Sequence, residues 1–276
     1  MKILDEIITS RNNPKVKWAA SLASRKGRDE EKSFLAEGEK LTIEALSSGL
    51  PVTNIFITES KKRNLLNKLE EYISLDLYKN TEIITLSDSA FEKISTEKAP
   101  QGIISVIKYL DFFRDIGIIY KDEFFLPSDE RIIILSSVRD PGNIGSVIRS
   151  AVAFGVDHVF ITADSADIYN PKTVRSAMGS LFRVKITVVD DVVSLIEALK
   201  NLGRRVFAAE LTDNARSLGE VGLIKTDAVI IGNEGHGIAA EVSSACCGSV
   251  YIPISKKTES LNASVAAAVF MWEQCK

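Results

Sequence analysis

The carboxylate of Glu234 and the guanidinium of Arg149 are two charged groups that the local structure of this chain does not require. Glu234 lies in a glycine-rich turn at 232–237, and such a turn folds without a carboxylate. Arg149 lies in a helix that follows the turn at 140–143. A guanidinium is a poor proton acceptor because its pKa exceeds about 12. We therefore assign Arg149 to a phosphate or a developing negative charge. Two proton acceptors stay open: this guanidinium after desolvation, or a phosphate of the substrate.

The segment 135–151 has the composition of a strand, a tight turn and a helix. Asp-Pro-Gly at 140–142 is a turn signal, and Asn143 can cap the helix that follows. Gly142 and Gly145 would let a substrate approach the backbone closely. Strand–turn–helix architecture alone explains the turn and the cap, but it does not explain the arginine further along the helix.

The segment 229–238 contains a second turn, with the glycine spacing G-x-x-G-x-G. This differs from the G-x-G-x-x-G spacing of dinucleotide-binding turns, and the chain contains no Walker A sequence, so ATP and GTP are not indicated. His236 is a candidate general base because imidazole titrates near neutral pH. We favour a solvent-facing His236, since it lies between two glycines of the turn.

The C-terminal segment 255–273 combines a polar turn with a helix of small residues. Ser260, Asn262 and Ser264 lie at the helix start, where side-chain oxygens can accept hydrogen bonds from unpaired backbone N–H groups. Alanines in the first turns let this helix pack closely against its neighbours. Capping explains any one of the three polar residues. The two earlier segments weaken that purely structural interpretation.

The three segments belong to a part of the chain where strand and helix patterns alternate. The runs 132–135 and 229–231 are apolar on both faces, as buried parallel strands are. The alternation predicts an α/β domain with an open, mostly parallel sheet and helices on both faces. Ligands of such sheets bind outside the carboxyl ends of the strands, so we expect a site where the three segments meet. The predicted strands are 131–136, 158–162, 184–189, 205–209, 228–231 and 249–252.

The first hundred residues predict a second, small α/β domain. We place this domain at 1–108, a linker at 109–129 and the larger domain at 130–276. The segment 109–130 contains six of the twenty aromatic residues, so we expect it to dock against one domain. The predicted helices of the small domain are 15–25, 39–48, 61–73 and 87–94, and its predicted strands are 34–38, 52–58, 82–86 and 102–108.

Length and composition limit the class of protein. A chain of 276 residues is long enough for two domains, and 45% hydrophobic with 26% charged residues indicates a globular protein. The three cysteines have no C-x-x-C spacing, which argues against zinc and dithiol chemistry and favours a reduced compartment. Without a signal peptide or an apolar run of membrane-spanning length, we expect a cytoplasmic protein that crosses no membrane.

Charge is unevenly distributed along the chain. A net charge of −3 argues weakly against a nucleic-acid partner, but the local distribution matters more. Residues 1–28 contain seven basic and two acidic side chains. Such a run is either a solvated face or a nucleic-acid contact surface. The candidate contacts are Arg11, Lys15, Lys17, Arg25 and Lys26.

Taken together, the three C-terminal segments resemble the three motifs of the SpoU (TrmH) family of RNA ribose 2′-O-methyltransferases, within the SPOUT superfamily. The stretch 170–182 resembles a further family segment near the site, with Ser176 and Ala177 exchanged. In the first half, 34–41 and 100–103 resemble the L30e-like RNA-binding domain of the same family. The resemblance implies an L30e-like substrate-binding domain, followed by a SPOUT domain whose C-terminus forms a trefoil knot.

The resemblance also implies S-adenosylmethionine as cofactor, RNA as partner and no metal. Arg149 would hold a substrate phosphate or the developing alkoxide, and the other catalytic positions would keep the ribose and the methyl group in register. The implied catalytic residues are Asn143, Arg149, Glu234, Ser260 and Asn262. The implied cofactor-binding residues are Gly232, Asn233, Gly235, Ile252, Ile254, Leu261 and Ser264.

Our leading hypothesis is S-adenosylmethionine-dependent 2′-O-methylation of a ribose in structured RNA, with 23S ribosomal RNA as substrate. Methylation of tRNA is the nearest alternative, although the tRNA enzymes of this family commonly lack the L30e-like domain. A catalytically silent RNA-binding module is a second alternative, and the glycine spacing disfavours a Rossmann-type dehydrogenase. The resemblance further implies a homodimer formed by the C-terminal domains. Val265, Val269 and Trp272 support it, because a terminal helix with a second apolar face must bury that face.

Overall fold

The computed structural model describes residues 1–110 and 129–276. These residues form two compact units. The first contains 1–110 together with 167–182, and the second contains the other described residues. The stretch 167–182, predicted within the second domain, therefore packs in the first unit. Most of the segment 109–130, which we predict to dock against one domain, lies outside the described residues.

Strands and helices alternate along both units, as the sequence pattern predicts. None of the described helices has an apolar stretch long enough to span a membrane. The strands are β1 (Lys2–Ile8), β2 (Ser33–Glu37), β3 (Val52–Thr58), β4 (Glu82–Leu86), β5 (Ile103–Lys108), β6 (Ile132–Leu135), β7 (His158–Thr162), β8 (Lys185–Val189), β9 (Val206–Ala209), β10 (Arg216–Ser217), β11 (Ala228–Ile231) and β12 (Gly248–Tyr251). The α-helices are α1 (Pro14–Ser21), α2 (Arg25–Glu31), α3 (Glu39–Ser47), α4 (Lys62–Ile73), α5 (Asp88–Phe91), α6 (Pro141–Ala153), α7 (Pro171–Ala177), α8 (Val192–Asn201), α9 (Leu218–Val221), α10 (Ala240–Ala245) and α11 (Ala263–Cys275).

The first unit is built on a mixed sheet of five strands. Their order is β1-β4-β3-β5-β2. β4 pairs in parallel with β1 and β3, whereas β5 pairs antiparallel with β3 and β2. Side chains of β2 to β5, α1 and α5 pack into one apolar core beneath this sheet. The unit is therefore a small α/β structure, as the first hundred residues predict.

Two features near the N-terminus differ from the prediction. Lys2–Ile8 forms β1, for which we predicted no strand. It pairs with β4 at the sheet edge and exposes most of its side chains, so its sequence lacks a regular apolar alternation. The helix predicted over 15–25 ends earlier than predicted, and a second helix, α2, begins at Arg25. α1 ends at Ser21, and Ser24 caps α2 by accepting a hydrogen bond from the backbone N–H of Gly27 at 3.1 Å.

The segment 167–182 is held in the first unit by an ion pair and an aromatic stack. The buried guanidinium of Arg28 donates to Asp167, with 2.5 Å between Nη2 and Oδ2. It also donates to two backbone carbonyls. The ring of Tyr169 stacks on that of Tyr109, with 4.2 Å between centroids. These partners are far apart in sequence, which is why the local pattern of this segment does not reveal where it packs.

The second unit is built on a seven-stranded sheet in which every pairing is parallel. The strand order is β10-β12-β9-β11-β6-β7-β8. The predicted parallel sheet is thus confirmed, and β10 adds a short edge strand that we did not predict. Alternate residues of β6 and β11 pack in one core with α8 and α10, while α11 packs against α6 and β11. Because successive strand residues face opposite sides, these helices cover both faces.

Candidate active site

The candidate site begins at the carboxyl ends of β6 and β11, where the strand order of the second sheet reverses. The chain runs outward from β6 through β7 and β8, and then returns to place β9, β11 and β12 on the other side of β6. The turns after β6 and β11 therefore leave the sheet at adjacent positions. Open α/β sheets bind ligands at such a reversal.

The carboxylate of Glu234 joins these two turns. Its Oε1 accepts a hydrogen bond from Nδ2 of Asn143 at 2.8 Å. The backbone N–H groups of Arg139 and Asp140 donate to the same carboxylate at 3.2 and 3.3 Å. The carboxylate of Asp140 caps α6 by accepting from two backbone N–H groups. Glu234 therefore accepts hydrogen bonds from three donors of the segment 135–151, which lie in the turn after β6 and at the start of α6.

Glu234 is suited to hold other groups in place rather than to accept a proton. Partial burial raises the pKa of its carboxyl. The hydrogen bonds from Asn143 and from the backbone amides of Arg139 and Asp140 outweigh burial, and the pKa lies below its ordinary value. A carboxylate stabilised in its charged form is a weaker base. The turn itself does not need this carboxylate; Glu234 instead links the turn to the neighbouring segment.

Asn262 brings the C-terminal segment to the same network. Its Nδ2 donates to Oδ1 of Asn143 at 2.9 Å. Its own Oδ1 caps α11, accepting from the backbone N–H groups of Ser264 at 2.9 Å and Val265 at 3.4 Å. Asn262 is thus both the predicted helix cap and a link in a chain of hydrogen bonds from the start of α11 to Glu234.

Ser137, in the turn after β6, has a strained backbone conformation that is held by hydrogen bonds. Its φ is 58°, in the left-handed region that non-glycine residues rarely adopt. Three partners hold it there: the backbone N–H donates to Thr162 Oγ1 at 2.8 Å, and the side-chain hydroxyl donates to Asp164 at 2.8 Å. The carbonyl accepts from Asn233 Nδ2 at 2.8 Å, and Asp164 also pairs with Arg139 at 2.8 Å. The turn that carries the donors to Glu234 is therefore rigid.

A cavity of about 630 Å³ adjoins Glu234 at the carboxyl ends of β9, β11 and β12 and the start of α11. Six of the seven predicted cofactor-binding residues line it, together with Glu234, Ser260 and Asn262 of the predicted catalytic set. Ser264, predicted to bind the cofactor, does not line the cavity; its N–H and hydroxyl donate to Asn262 Oδ1. The six lining residues are Gly232, Asn233, Gly235, Ile252, Ile254 and Leu261.

Gly232 occupies a position that no other residue fits. A Cβ placed on it would lie 2.6 Å from the backbone carbonyl of Gly237 and from Cγ1 of Ile238. The turn closes this tightly because the backbones of Asn233 and Gly237 exchange hydrogen bonds of 2.9 and 3.0 Å. His236, at the tip of the turn, is exposed, as we predicted for a residue between two glycines.

The structure brings four of the five predicted catalytic residues together and places the fifth apart. Asn143, Glu234 and Asn262 form one network, and Ser260 lines the cavity beside it. Arg149 lies two and a half turns along α6 with an exposed side chain, and it does not line the cavity. The side chain of Arg149 is accessible from solvent.

The predicted RNA-binding residues lie on the first unit, on α1, α2 and the turn before α1. Arg11 and Lys17 are exposed and have no ion-pair partner among the described residues. Lys15 pairs with Glu82 at 2.6 Å. Arg25 and Lys26 form pairs one helical turn apart with Asp29 and Glu30, at 3.7 and 3.8 Å. Arg11 and Lys17 are therefore the two cations of this set most available to phosphate.

Sequence reasoning missed several residues of the cavity wall. Glu210 and Leu211 follow β9, and Tyr251 ends β12; the inner wall is formed by Ala266 and Phe270 of α11. Glu210 could have been found, because the strand-end rule that located Glu234 applies equally to β9. Within residues 1–110 and 129–276, no group of three His, Cys, Asp or Glu side chains is arranged to hold a metal ion.

Comparison with known proteins identifies the family to which this chain belongs. Residues 130–272 match the SpoU rRNA Methylase family. This chain belongs to that family. Its residues 13–105 match the MRM3-like substrate binding domain. The predicted SpoU family is thereby confirmed, and so is the prediction of an RNA methyltransferase.

Relatives of this SpoU family member match it over nearly their whole length. The 23S rRNA (guanosine(2553)-2′-O)-methyltransferase RlmP of Bacillus subtilis is 32% identical, over 96% of this chain and 97% of its own. The structure of an AdoMet-bound rRNA methyltransferase from Sinorhizobium meliloti is 25% identical, with a TM-score of 0.78 over 99% of this chain and 97% of that one. The SpoU methyltransferase AviRb of Streptomyces viridochromogenes, in complex with AdoMet, is 25% identical, with a TM-score of 0.75 over 95% and 98%.

Proposed function

We propose that this protein transfers a methyl group from S-adenosylmethionine to the 2′-hydroxyl of a ribose in structured RNA, with 23S ribosomal RNA as substrate. The position of Glu234 carries the proposal: this carboxylate lines the cavity and is bonded to Asn143, which is bonded to Asn262. Polar groups of three sequence segments are therefore joined in one hydrogen-bonded network, and two of its members, Glu234 and Asn262, line the cavity. Its volume, about 630 Å³, is that of a small-molecule site.

The names of the relatives favour ribosomal RNA over the alternatives. RlmP is named for 2′-O-methylation of a guanosine in 23S rRNA, and a relative from Streptomyces viridochromogenes, 28% identical over 96% of this chain, is named for a uridine in 23S rRNA. These two names give no support to the tRNA alternative. A silent RNA-binding module would not need the hydrogen-bonded network at the cavity, so we do not favour it.

The residues around the cavity fit S-adenosylmethionine. Relatives with this fold bind the same cofactor, AdoMet, in their solved structures, and the predicted cofactor is confirmed for the family. In this chain the backbones of Gly232, Ile252 and Leu261 would hold it. The wall contributed by Phe270 and Ala266 would cover its apolar surface. The chemistry that the cofactor supplies when bound is an activated methyl group on a sulfonium.

The protein itself supplies geometry and charge. A ribose hydroxyl is a poor nucleophile at neutral pH, so its oxygen must be held in line with the methyl group, and such positioning can contribute about 7–11 kcal/mol in favourable cases. Asn143, Glu234 and Asn262 would fix the positions of the groups that contact the ribose, with Ser260 beside them. Arg149 would hold the RNA phosphate or stabilise the developing alkoxide.

Several finer features of the proposal come from the family resemblance. We place RNA recognition in the first unit, as an L30e-like domain that reads RNA shape and exposed bases. We infer a trefoil knot around α11 and a homodimer formed by the second unit. Two exposed apolar side chains of α11 support the dimer, Val265 at 48% and Trp272 at 54% exposure. Its ribosomal substrate would make this a cytoplasmic protein.

A methyl-transfer assay tests the function directly. The purified protein is incubated with labelled S-adenosylmethionine and, in parallel, with 23S rRNA and bulk tRNA from a strain that lacks the gene. We expect label in 23S rRNA at one ribose, mapped by resistance of the adjacent linkage to alkaline cleavage. Label in tRNA alone would favour the tRNA alternative. RNA binding without any label in either RNA would favour the silent module.

A further inference from the structure

The carboxylate of Glu210 is anchored on one side and open on the other. Its Oε1 accepts hydrogen bonds from two hydroxyls, those of Ser243 on α10 and Ser249 on β12; the Ser249 bond is 2.7 Å long. Its backbone N–H donates to the carbonyl of Val250 at 3.1 Å, which fixes the residue against β12. The second carboxylate oxygen, Oε2, accepts no hydrogen bond from the described residues and is accessible.

This open oxygen belongs to a residue of the cavity wall. Glu210 directly follows β9, so it lies at the same sheet edge as the turns after β11 and β12. The described residues that line the cavity include no lysine, arginine or histidine. Among the described residues, no cation of the cavity wall therefore neutralises Glu210. Its open oxygen is free to accept a hydrogen bond from a ligand in the cavity.

The other two carboxylates of the wall differ from Glu210. Glu234 is bonded to Asn143 and to backbone amides of the turn after β6. Glu259 is exposed in the polar loop before α11. Glu210 alone among these three combines a fixed orientation, set by two serine hydroxyls, with an oxygen that has no hydrogen-bond partner in the described part of the chain.

We propose that Glu210 is a cofactor-binding residue, whose Oε2 accepts a hydrogen bond from the ribose hydroxyls or the α-ammonium group of S-adenosylmethionine. Both groups are N–H or O–H donors, and the cofactor carries a net positive charge that a carboxylate favours. Ser243 and Ser249 act as positioning residues, because they hold Oε1 and so direct Oε2. The inference rests on the proposed function, since it takes this cavity as the cofactor site.

The test measures ligand binding to the full-length protein by calorimetry. Glu210→Gln keeps the shape of the side chain and an oxygen for the two serines, but it removes the charge. We expect this variant to bind S-adenosylhomocysteine about tenfold or more weakly, as befits the loss of a hydrogen bond to a charged group. Ser249→Ala should give a smaller loss. Glu241→Gln, an exposed residue on α10 outside the cavity, is the matched control and should bind normally.

A second ligand identifies the donor. Methylthioadenosine retains the ribose but lacks the amino-acid end. If Glu210→Gln lowers the affinity for both ligands equally, the ribose hydroxyls bind Glu210. If it lowers only the affinity for S-adenosylhomocysteine, the α-ammonium group binds Glu210. Unchanged binding of both ligands overturns the proposal.

The variant Gly232→Val shows whether a negative result concerns only Glu210 or the whole cofactor site. A wild-type protein that binds neither ligand, or a Gly232→Val variant that still binds them, would contradict the proposed site. If Gly232→Val abolishes binding and Glu210→Gln leaves it intact, only the role of Glu210 is wrong.

Discussion

Asn262 donates a hydrogen bond through Nδ2 to Oδ1 of Asn143 at 2.9 Å, although 119 residues separate the two along the chain. The direction of this bond is fixed at both ends. Oδ1 of Asn262 is occupied by the N–H groups that it caps, and Nδ2 of Asn143 donates to Glu234. A helix cap thereby determines the orientation of a side chain in the candidate active site.

Exchanging the amide of Asn262 for a carboxylate should separate capping from catalysis. Asn262→Asp retains the cap, because aspartate caps helices as well as asparagine does, but it presents an oxygen to Oδ1 of Asn143. We expect an unchanged melting temperature and a methyl-transfer rate at least tenfold lower. Asn262→Ala should lose the cap as well, with about 1 kcal/mol of unfolding free energy. Normal turnover by Asn262→Asp would show that the bond to Asn143 has no part in the reaction.

Arg149 is predicted to act on the RNA and not on the cofactor. Because its exposed side chain does not line the cavity, Arg149→Ala should bind S-adenosylmethionine normally while methyl transfer falls by orders of magnitude. Arg149→Lys should recover only part of the rate, since lysine lacks the planar fork of guanidinium donors. Arg216→Ala, an exposed arginine at the sheet edge, serves as control. Near-normal single-turnover rates for Arg149→Ala would refute the assignment.

His158 should make the second unit less stable in acid. Burial is the largest effect and lowers the pKa of His158 to about 4, even though Glu130 lies beside it and opposes the shift. An unfolded histidine has a pKa of about 6.5. Between these values the unfolded chain binds more protons than the folded protein, so the free energy of unfolding falls as the pH falls from 6.5 towards 4.

The slope from this histidine can reach about 1.4 kcal/mol per pH unit. We expect the free energy of unfolding, measured by urea denaturation at pH 7.5, 6 and 5, to depend less steeply on pH for His158→Gln than for the wild type. His236→Gln, at the exposed turn, should follow the wild type. Parallel curves for the wild type and His158→Gln would mean that His158 is not the group responsible.

RNA affinity should depend on two basic residues of the first unit. Arg11 and Lys17 are exposed and have no ion-pair partner among the described residues. Each phosphate contact removed lowers the slope of log affinity against log salt by about one. The Arg11→Ala/Lys17→Ala variant should therefore bind 23S rRNA fragments with a slope reduced by about two. A slope equal to that of Lys200→Ala, a control on α8, would place the RNA contacts elsewhere.

The proposed homodimer can be tested on α11. Trp272 is exposed, and its ring contacts that of Phe154 edge-on at 6.1 Å between centroids. Charged residues at Val269 and Trp272 should yield a monomer or an unfolded chain, both inactive, as measured by light scattering and circular dichroism. Leu202→Glu is the control, because Leu202 is also an exposed apolar residue, and it should leave the dimer intact. A fully active wild-type monomer at micromolar concentration would exclude the dimer.

The sequence allowed the site to be predicted better than its surroundings. The turns after β6 and β11 could be located because apolar strands and polar strand ends are local signals, and parallel strands bring their ends to one edge. Glu210 obeys the same rule but lies in no glycine-rich or clustered segment, so the pattern did not single it out. β1 was missed because an edge strand with exposed side chains has no apolar alternation to detect.

The packing of 167–182 could not be read from the sequence at all. It depends on Arg28 meeting Asp167 and on Tyr109 meeting Tyr169, pairs separated by 139 and 60 positions. Nothing in the local composition of either partner specifies the other. Long-range polar pairs of this kind become visible only when the fold is known, whereas apolar periodicity reveals the elements themselves.

The same segment has a consequence for the order in which this protein matures on the ribosome. Domains generally fold as units as they emerge, N-terminal first, but here the first unit is incomplete until residue 182 has left the exit tunnel. At roughly 5–20 residues per second, synthesis from residue 110 to residue 182 would take on the order of 4–15 s. Translation pauses or chaperone contacts in the interval 111–182 would therefore act on the N-terminal unit as well as on the sheet then being synthesised.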